Sequence, residues 1–278
     1  MIDSKTLFDK LVKDLTLPET QDEINALAFA TLTYFGISRT DVLARKPVDV
    51  DYRQLLPTIT RLNKHEPLQY IFNEAWFYGR KFFVDSSVLI PRPETEILIE
   101  VAQRTALNPP THILDIGTGS GCIAISLALI FPKANVLGID VSDDALRIAE
   151  RNARALGANV NFRKIDILKG LSGEERFDLI VSNPPYISIE EKSDMRLNVL
   201  QYEPHLALFT PEKDSLIFYK SIAQLAQQAL NPKGKVVVEI NERFGKEVSS
   251  LFQGAGLTHC EIIKDLSGKD RIVVAQKS

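Results

Sequence analysis

From about residue 111 onward, short apolar runs alternate with helical stretches, and that alternation leaves few folds open. His112-Ile113-Leu114-Asp115-Ile116 is the first run and Val136-Leu137-Gly138-Ile139-Asp140 the second. Phe162 to Ile165 and Phe177 to Val181 are the third and fourth. Runs this short, without a helical period, read as buried strands. An apolar helix reaching Phe131 follows the first, and Ser142 caps a helix after the second, with Asp143 and Asp144 in its first turn. Ser215 to Leu230 is a further helix, and Asn231-Pro232-Lys233-Gly234 turns into the strand Val236 to Ile240. His259 to Ile263 and Arg271 to Ala275 close the pattern as a hairpin. Repeated strand and helix units imply an α/β fold with a doubly wound, mostly parallel sheet, here of seven strands.

The first 72 residues read differently. Leu7, Leu11 and Leu15 recur every four residues, Ile24, Leu27, Ala28 and Leu32 form a second stripe, and Leu55, Ile59 and Leu62 a third. Such stripes are the apolar faces of helices, here punctuated by Gly36, Pro47 and Pro57. No helix carries a polar cluster, so a small bundle without chemistry is expected, compatible with substrate docking. An aromatic cluster comes next: Tyr70, Phe72, Trp76, Phe77, Tyr78, Phe82 and Phe83, with Gly79 between two extended stretches, which predicts a hairpin. The aromatics serve either domain packing or a ligand wall. Leu89-Ile90-Pro91-Arg92-Pro93-Glu94-Thr95-Glu96 then enters an amphipathic helix from Ile97 to Leu107, with Thr95 as its expected N-cap.

Composition excludes several classes. A net charge of -3 argues against a protein held on nucleic acid by bulk charge. The two cysteines, Cys122 and Cys260, have no metal-ligand spacing and form no disulfide framework. No metal is expected, and a reducing cytoplasm is. The opening Met1-Ile2-Asp3-Ser4-Lys5 lacks a signal-peptide layout, and the apolar run Cys122 to Phe131 is about half of what a membrane span needs.

Two motifs point to a nucleoside cofactor. Gly117-Thr118-Gly119-Ser120-Gly121 comes after the first strand, where glycines allow a tight turn and close backbone approach to a ligand at a helix N-terminus. Alone it would serve a nicotinamide dinucleotide equally well. Asp140 ends the second strand, where an acid would bond two ribose hydroxyls. Asp166 ends the third strand and either receives an adenine amino group or caps a turn.

The fourth strand separates the readings. It runs into Asn183-Pro184-Pro185-Tyr186. Two prolines stop the strand and stiffen the turn after it. Asn183 and the Pro184 carbonyl offer two acceptors for the hydrogens of a planar NH2 group, and Tyr186 offers a stacking face. An enzyme methylating an NH2 has a use for this bracket, and a dehydrogenase has none. Amide and aromatic amino nitrogens are poor nucleophiles, so fixed acceptors that orient the lone pair and stabilise growing positive charge supply the catalysis.

On these residues the chain resembles the S-adenosylmethionine-dependent protein-(glutamine-N5) methyltransferases of the HemK/PrmC type, which modify peptide chain release factors. Glu66-Pro67-Leu68-Gln69-Tyr70-Ile71, Phe77-Tyr78-Gly79, the Pro91 to Glu96 stretch, Asp115 to Gly121, Asn183 to Tyr186, Tyr202-Glu203-Pro204 and Lys264 to Arg271 all match. The resemblance covers nearly the whole chain. It implies a Rossmann-like class I methyltransferase domain at 95–278, a hairpin linker at 73–94 and a helical release-factor-docking domain at 1–72. It implies S-adenosyl-L-methionine held by Gly117, Thr118, Gly119, Ser120, Gly121, Asp140, Asp166 and Asn183. It places the glutamine of the release factor's Gly-Gly-Gln motif against Asn183, Pro184, Pro185 and Tyr186, with Asn183, Pro184 and Tyr186 catalytic. The partner is then a protein, with no direct nucleic acid, no membrane and a monomeric enzyme. One departure is visible: where the family usually has a glycine-rich turn, this chain has Phe209-Thr210-Pro211-Glu212-Lys213-Asp214.

Two other readings compete. The Asn-Pro-Pro-Tyr motif also occurs in adenine-amino methyltransferases acting on DNA or RNA, which would predict a basic face or a target-recognition domain. A non-catalytic cofactor-binding or assembly factor would have no need of Asn183 and Tyr186. His65, His205 and His259 stand alone and suit surface or packing roles, Cys122 suits the core, and Glu203 and Arg271 suit structural ion pairs. Arg92 and Glu94 are candidate pocket-edge residues.

Overall fold

A computed structural model describes residues 2–106, 109–171, 173–211 and 214–278. Leu107, at the end of the expected amphipathic helix, and Glu212 and Lys213, in the departing segment, lie outside the described residues. The chain divides into two compact units, one running to Asn73 and including Arg196–Tyr202, the other comprising Glu74–Met195 and Glu203–Ser278.

The first unit is helical: α1 (Ser4–Asp14), α2 (Gln21–Tyr34), α3 (Arg39–Leu43), α4 (Leu56–Leu62) and α5 (Leu68–Phe72). Asp3 caps α1 by accepting from the backbone N–H groups of Lys5 and Thr6, and Thr20 with Glu23 forms a capping box on α2. Leu7, Leu11, Leu32 and Leu55 are fully buried in one core. The expected stripes thus face inward, although Ile24 and Leu27 only pack against its edge. A two-residue strand pairing, Ile2 with Val48 and Asp3 with Pro47, has no period long enough to be read from sequence. The helical turn Leu197–Tyr202 joins this unit: Arg196 donates to Glu23 at 2.9 Å and the Tyr202 hydroxyl to the Lys64 carbonyl at 2.7 Å.

The second unit is built on seven strands: β1 (His112–Ile116), β2 (Asn135–Asp140), β3 (Val160–Lys164), β4 (Phe177–Ser182), β5 (Leu230–Glu239), β6 (Thr258–Lys264) and β7 (Asp270–Gln276). Their spatial order is β6-β7-β5-β4-β1-β2-β3. All neighbours are parallel except at β7, which runs antiparallel to both β5 and β6. The expected closing hairpin is therefore β6 and β7. The expected turn at Asn231-Pro232-Lys233-Gly234 is a loop-out within β5: Phe177 pairs with Leu230 and Leu179 with Lys235. Asn231 there donates to Asp178 at 2.7 Å.

Period-two alternation splits the sheet's side chains between two cores. Ile113, Leu179, Val181, Val237 and Ile272 pack on one face under α6 (Pro93–Thr105) and α7 (Cys122–Ile130). Cys122 lies in this core, and α8 (Asp143–Leu156) runs beside α7. Leu114, Ile180, Val236, Val238 and Val273 pack on the other face under α9 (Ile217–Ala229) and α10 (Gly245–Gly254). A central strand buried on both faces carries no polar alternation, which is why these runs read as uniformly apolar.

Helix α6 begins at Pro93, three residues earlier than a Thr95 cap implies. Pro93 occupies its first turn and Arg92 is its N-cap, without a side-chain cap bond. Proline is preorganised for that position, so the helix starts there and Thr95 falls inside it. The aromatic cluster divides: Phe72 packs in the first unit's core, whereas Phe77 and Phe82 pack edge to face in the second. Ala75–Phe77 and Arg80–Phe82 form the expected hairpin around Tyr78 and Gly79, both at positive φ, as a two-residue turn requires.

Candidate active site

The carboxyl ends of β1, β2 and β4 and the stretch after β3 converge on one cavity. Between β1 and α7 the loop Gly117 to Gly121 holds all three of its glycines at positive φ. At Gly121 glycine is required twice over: φ is +80°, and a Cβ would stand 2.9 Å from Ile125 and 3.1 Å from Ala149. Beneath the loop Asp115 is fully buried. One of its carboxylate oxygens accepts from the Thr118 hydroxyl at 2.7 Å and from the Ala124 N–H at 3.1 Å. Burial pushes this carboxyl up to about 7.

Asp140 closes the loop from β2. Its Oδ2 accepts from the Gly119 N–H at 2.9 Å and its Oδ1 from the Ser142 N–H at 3.0 Å. Burial raises the Asp140 carboxyl above its ordinary value, against those two donors. Ser142 caps α8 as expected, accepting from the Ala145 N–H at 3.2 Å. After β3, Asp166 caps a short turn by accepting from the Leu168 N–H at 3.0 Å and also lines the cavity. The two functions posed for Asp166 are thus not exclusive.

β4 delivers the bracket. The Ser182 hydroxyl donates to the Ile116 carbonyl at 2.8 Å, which ties the ends of β4 and β1 together. Asn183, Pro184 and Pro185 line the same cavity as Gly117, Gly119 and Asp140. Tyr186 packs against the core under α9 and lines a separate recess with Asn241 and Arg271. Burial raises its phenol. Thr118 and Ser120 are buried, and neither they nor Gly121 are among the cavity-lining residues. They support the loop from beneath.

Several features of the site carry no sequence signal of their own. Ser87, Val88 and Leu89 form one wall, and Val141, Ile165 and Ile167 offer apolar surface around the Asp140 and Asp166 carboxylates. Val141 is 41% exposed immediately after Asp140, an apolar side chain left for a ligand to cover. Glu203, buried, accepts from the Ile90 N–H at 3.2 Å and pairs with Arg92, which anchors the chain just past that wall. Arg271 pairs with Asp265 at 3.0 Å. Neither Arg92 nor Glu94 lines the cavity, and none of the seven aromatics does.

A second arrangement involves Thr95, which the sequence suggests as a helix cap, and Glu239, which it does not single out. The Asn183 amide N–H donates to Thr95 Oγ1 at 3.1 Å, and the Thr95 hydroxyl donates to Glu239 Oε2 at 2.6 Å. Thr95 and Glu239 are only 3% and 2% exposed. Alternation along Val236-Val237-Val238-Glu239 puts Glu239 on the face of Val237, under α6, a buried position for a charge. A carboxylate at a core-facing strand position is the signal that could have flagged it.

The lining residues suit a nucleoside ligand. The cavity-lining residues described include the carboxylates of Asp140 and Asp166 and no lysine or arginine. A cationic sulfonium nucleoside suits these walls, which offer a carboxylate for the ribose diol and apolar surface for the base, while Lys169 pairs with Asp166 Oδ2 at 3.3 Å.

Comparison with known proteins bears on the family and the fold. A family model described as a methyltransferase domain matches residues 107–265. A protein of Bacteroides thetaiotaomicron named release factor glutamine methyltransferase is 41% identical, over 96% of this chain and 96% of that protein. A Pyrococcus furiosus methyltransferase structure superposes with a TM-score of 0.54 at 20% identity, covering 80% of this chain and 98% of that one. A T. thermophilus 16S rRNA methyltransferase in complex with AdoMet and guanosine superposes at 0.51 and 19% identity, covering 74% of this chain and 50% of that one. At these identities the two solved structures speak to the fold: a class I methyltransferase sheet.

Proposed function

We propose, because this chain belongs to the release factor glutamine methyltransferase family, that it transfers a methyl group from S-adenosyl-L-methionine to a glutamine of peptide chain release factors. The acceptor is the side-chain amide nitrogen of the glutamine in the Gly-Gly-Gln motif, and the modification supports translation termination. One observation carries the reading: the Asn183 to Pro185 bracket opens on the same cavity as the Asp140 carboxylate and the glycine loop.

In this reading Asp140 takes the ribose diol, Gly117 and Gly119 give the backbone room for close approach, and Asp166 receives the adenine amino group. Thr118, Ser120 and Gly121 hold the loop's shape. When bound there, the cofactor supplies an electrophilic methyl on a positively charged sulfur.

The protein's own residues solve the nucleophile's problem. An amide nitrogen shares its lone pair with the carbonyl, so it attacks only if its hydrogens are held and its developing charge is met. Asn183 Oδ1 and the Pro184 carbonyl accept those two hydrogens, point the lone pair into the cavity and stabilise the cationic nitrogen as it forms. No strong base is needed, because the alkylated nitrogen is acidic and sheds its proton. Pro185 and the preceding proline keep the bracket rigid, and Tyr186, packed against the core beside a separate recess, backs the bracket from outside the cavity.

The N-terminal helical unit is the release-factor-docking part of this enzyme, which acts as a monomer in the cytoplasm. No helix among the described residues is long and apolar enough to cross a membrane. The deciding experiment offers labelled cofactor with a purified release factor in one tube and an adenine-containing oligonucleotide in another. Label on the release factor is expected. Label on the oligonucleotide alone would replace this reading with the adenine-amino one.

A further inference from the structure

Asparagine can present either end of its amide, and only the oxygen end can receive an NH2 hydrogen. Asn183 is fixed by the line Asn183 Nδ2 to Thr95 Oγ1 to Glu239 Oε2, with lengths of 3.1 and 2.6 Å. We propose that Thr95 and Glu239 are positioning residues that set the polarity of Asn183, turning its oxygen toward the substrate amide. The inference rests on the reading that Asn183 accepts a hydrogen from the substrate nitrogen.

Proton count decides the polarity. A threonine hydroxyl has a single hydrogen. An ionised Glu239 is acceptor-only and takes it, so Thr95 Oγ1 is left with lone pairs alone on its Asn183 side. Asn183 must then turn its NH2 to Thr95 and its oxygen away. If Glu239 gains a proton, it becomes a donor to Thr95. The Thr95 hydrogen is then released toward Asn183, where it favours the overturned amide. That amide would set an NH2 against the substrate NH2, two donors facing each other. Polarity is thus set from β5, through α6, to the residue after β4.

Glu239 sits where this can titrate. Arg271 of β7, Arg92 and Glu94 at the start of α6, Tyr186 after β4 and Tyr219 of α9 act on it electrostatically. The Tyr219 hydroxyl donates to the Glu239 backbone carbonyl at 3.0 Å. Burial is the largest influence and raises the Glu239 carboxyl to about 7, while the Thr95 bond and the arginines pull the other way.

The test measures methyl transfer to release factor by the full-length protein across a pH range centred on about 7. Wild-type kcat should rise with pH through an inflection there while the affinity for S-adenosylhomocysteine stays level. Glu239→Gln, which cannot ionise, should lose the inflection. Thr95→Val should lower kcat by about 10- to 100-fold without changing that affinity, and Thr95→Ser should recover it. A wild-type inflection that persists in Glu239→Gln, a wild-type profile that is flat, or a Thr95→Val protein with normal kcat would each overturn the inference. A second measurement needs no release factor and so separates this inference from the functional reading. The Asn183 side-chain NH2 signals, assigned by their loss in Asn183→Ala, are followed by NMR in asparagine-labelled protein. They should shift with the same inflection in wild type and not in Glu239→Gln. Signals indifferent to pH and to Thr95→Val would overturn the inference even if glutamine methylation stood.

Discussion

A single side chain, Asn183, joins two roles. It lines the cofactor cavity, and its amide is anchored on a buried hydroxyl and a buried carboxylate. A carboxylate 2% exposed is expensive to ionise, and Glu239 shows it by a carboxyl raised to about 7. The consequence for stability has a definite sign. Between its ordinary value and about 7, folded Glu239 keeps a proton that the unfolded chain has already released. The stability this contributes is complete below the ordinary value and is lost as pH rises through about 7. Glu239→Gln removes the titration. Its melting temperature relative to wild type should therefore climb as pH rises through that window, measured in parallel melts at mildly acidic and mildly alkaline pH. A difference independent of pH would mean that Glu239 is not titrating in the fold. Ionised Glu239 would then cost stability where it serves catalysis, as strained and charged functional sites commonly do.

Among the elements, the loop between β1 and α7 leaves little room for change at Gly121. Gly121→Ala must fit a Cβ within 3.2 Å of Ala149 at a φ that side chains avoid. The expected cost is about 1–3 kcal/mol, read as a lower urea midpoint at unchanged slope. Cofactor affinity should fall with it, because Asn152 bonds the Ser120 carbonyl at 2.9 Å and ties the loop to its surroundings. An unchanged midpoint would contradict the close approach described. Asp140→Ala should instead leave the fold near wild-type stability and weaken S-adenosylhomocysteine binding by about tenfold or more, checked by calorimetry. At this scale much could be read in advance. Strands β1, β2 and β4 show as apolar runs because burial on both faces removes alternation, and the glycines and Asp140 sit at fixed offsets from them. The start of α6 could not be read correctly. Thr95 looks like a cap, and only the register of α6 against β5 reveals that its hydroxyl serves Glu239. Likewise Asp166 offered two readings because it both caps a turn through one carboxylate oxygen and lines the cavity.

For the whole molecule, two units with separate cores predict separable effects. Leu32→Ala, in the first unit's core, should cost about 2–5 kcal/mol there and leave S-adenosylhomocysteine binding in the second unit unchanged. Loss of that binding would show the two to be energetically one. The membership of Arg196–Tyr202 in the first unit was invisible in chain order, since it depends on a return of the chain after more than a hundred residues. The exposed Val141 and the wall at Ser87 to Leu89 were invisible for the same reason: they become a site only when distant loops meet. Everything proposed for this assembly turns on its methylating a glutamine amide held by Asn183. The decisive measurement is mass spectrometry of the Gly-Gly-Gln peptide from a release factor incubated with S-adenosylmethionine and either wild type or Asn183→Ala. Wild type should add one methyl to that glutamine, and Asn183→Ala should do so about 100- to 1000-fold more slowly at saturating cofactor. A methyl placed elsewhere would contradict the reaction, and one placed on that glutamine equally fast by Asn183→Ala would contradict the role of the bracket.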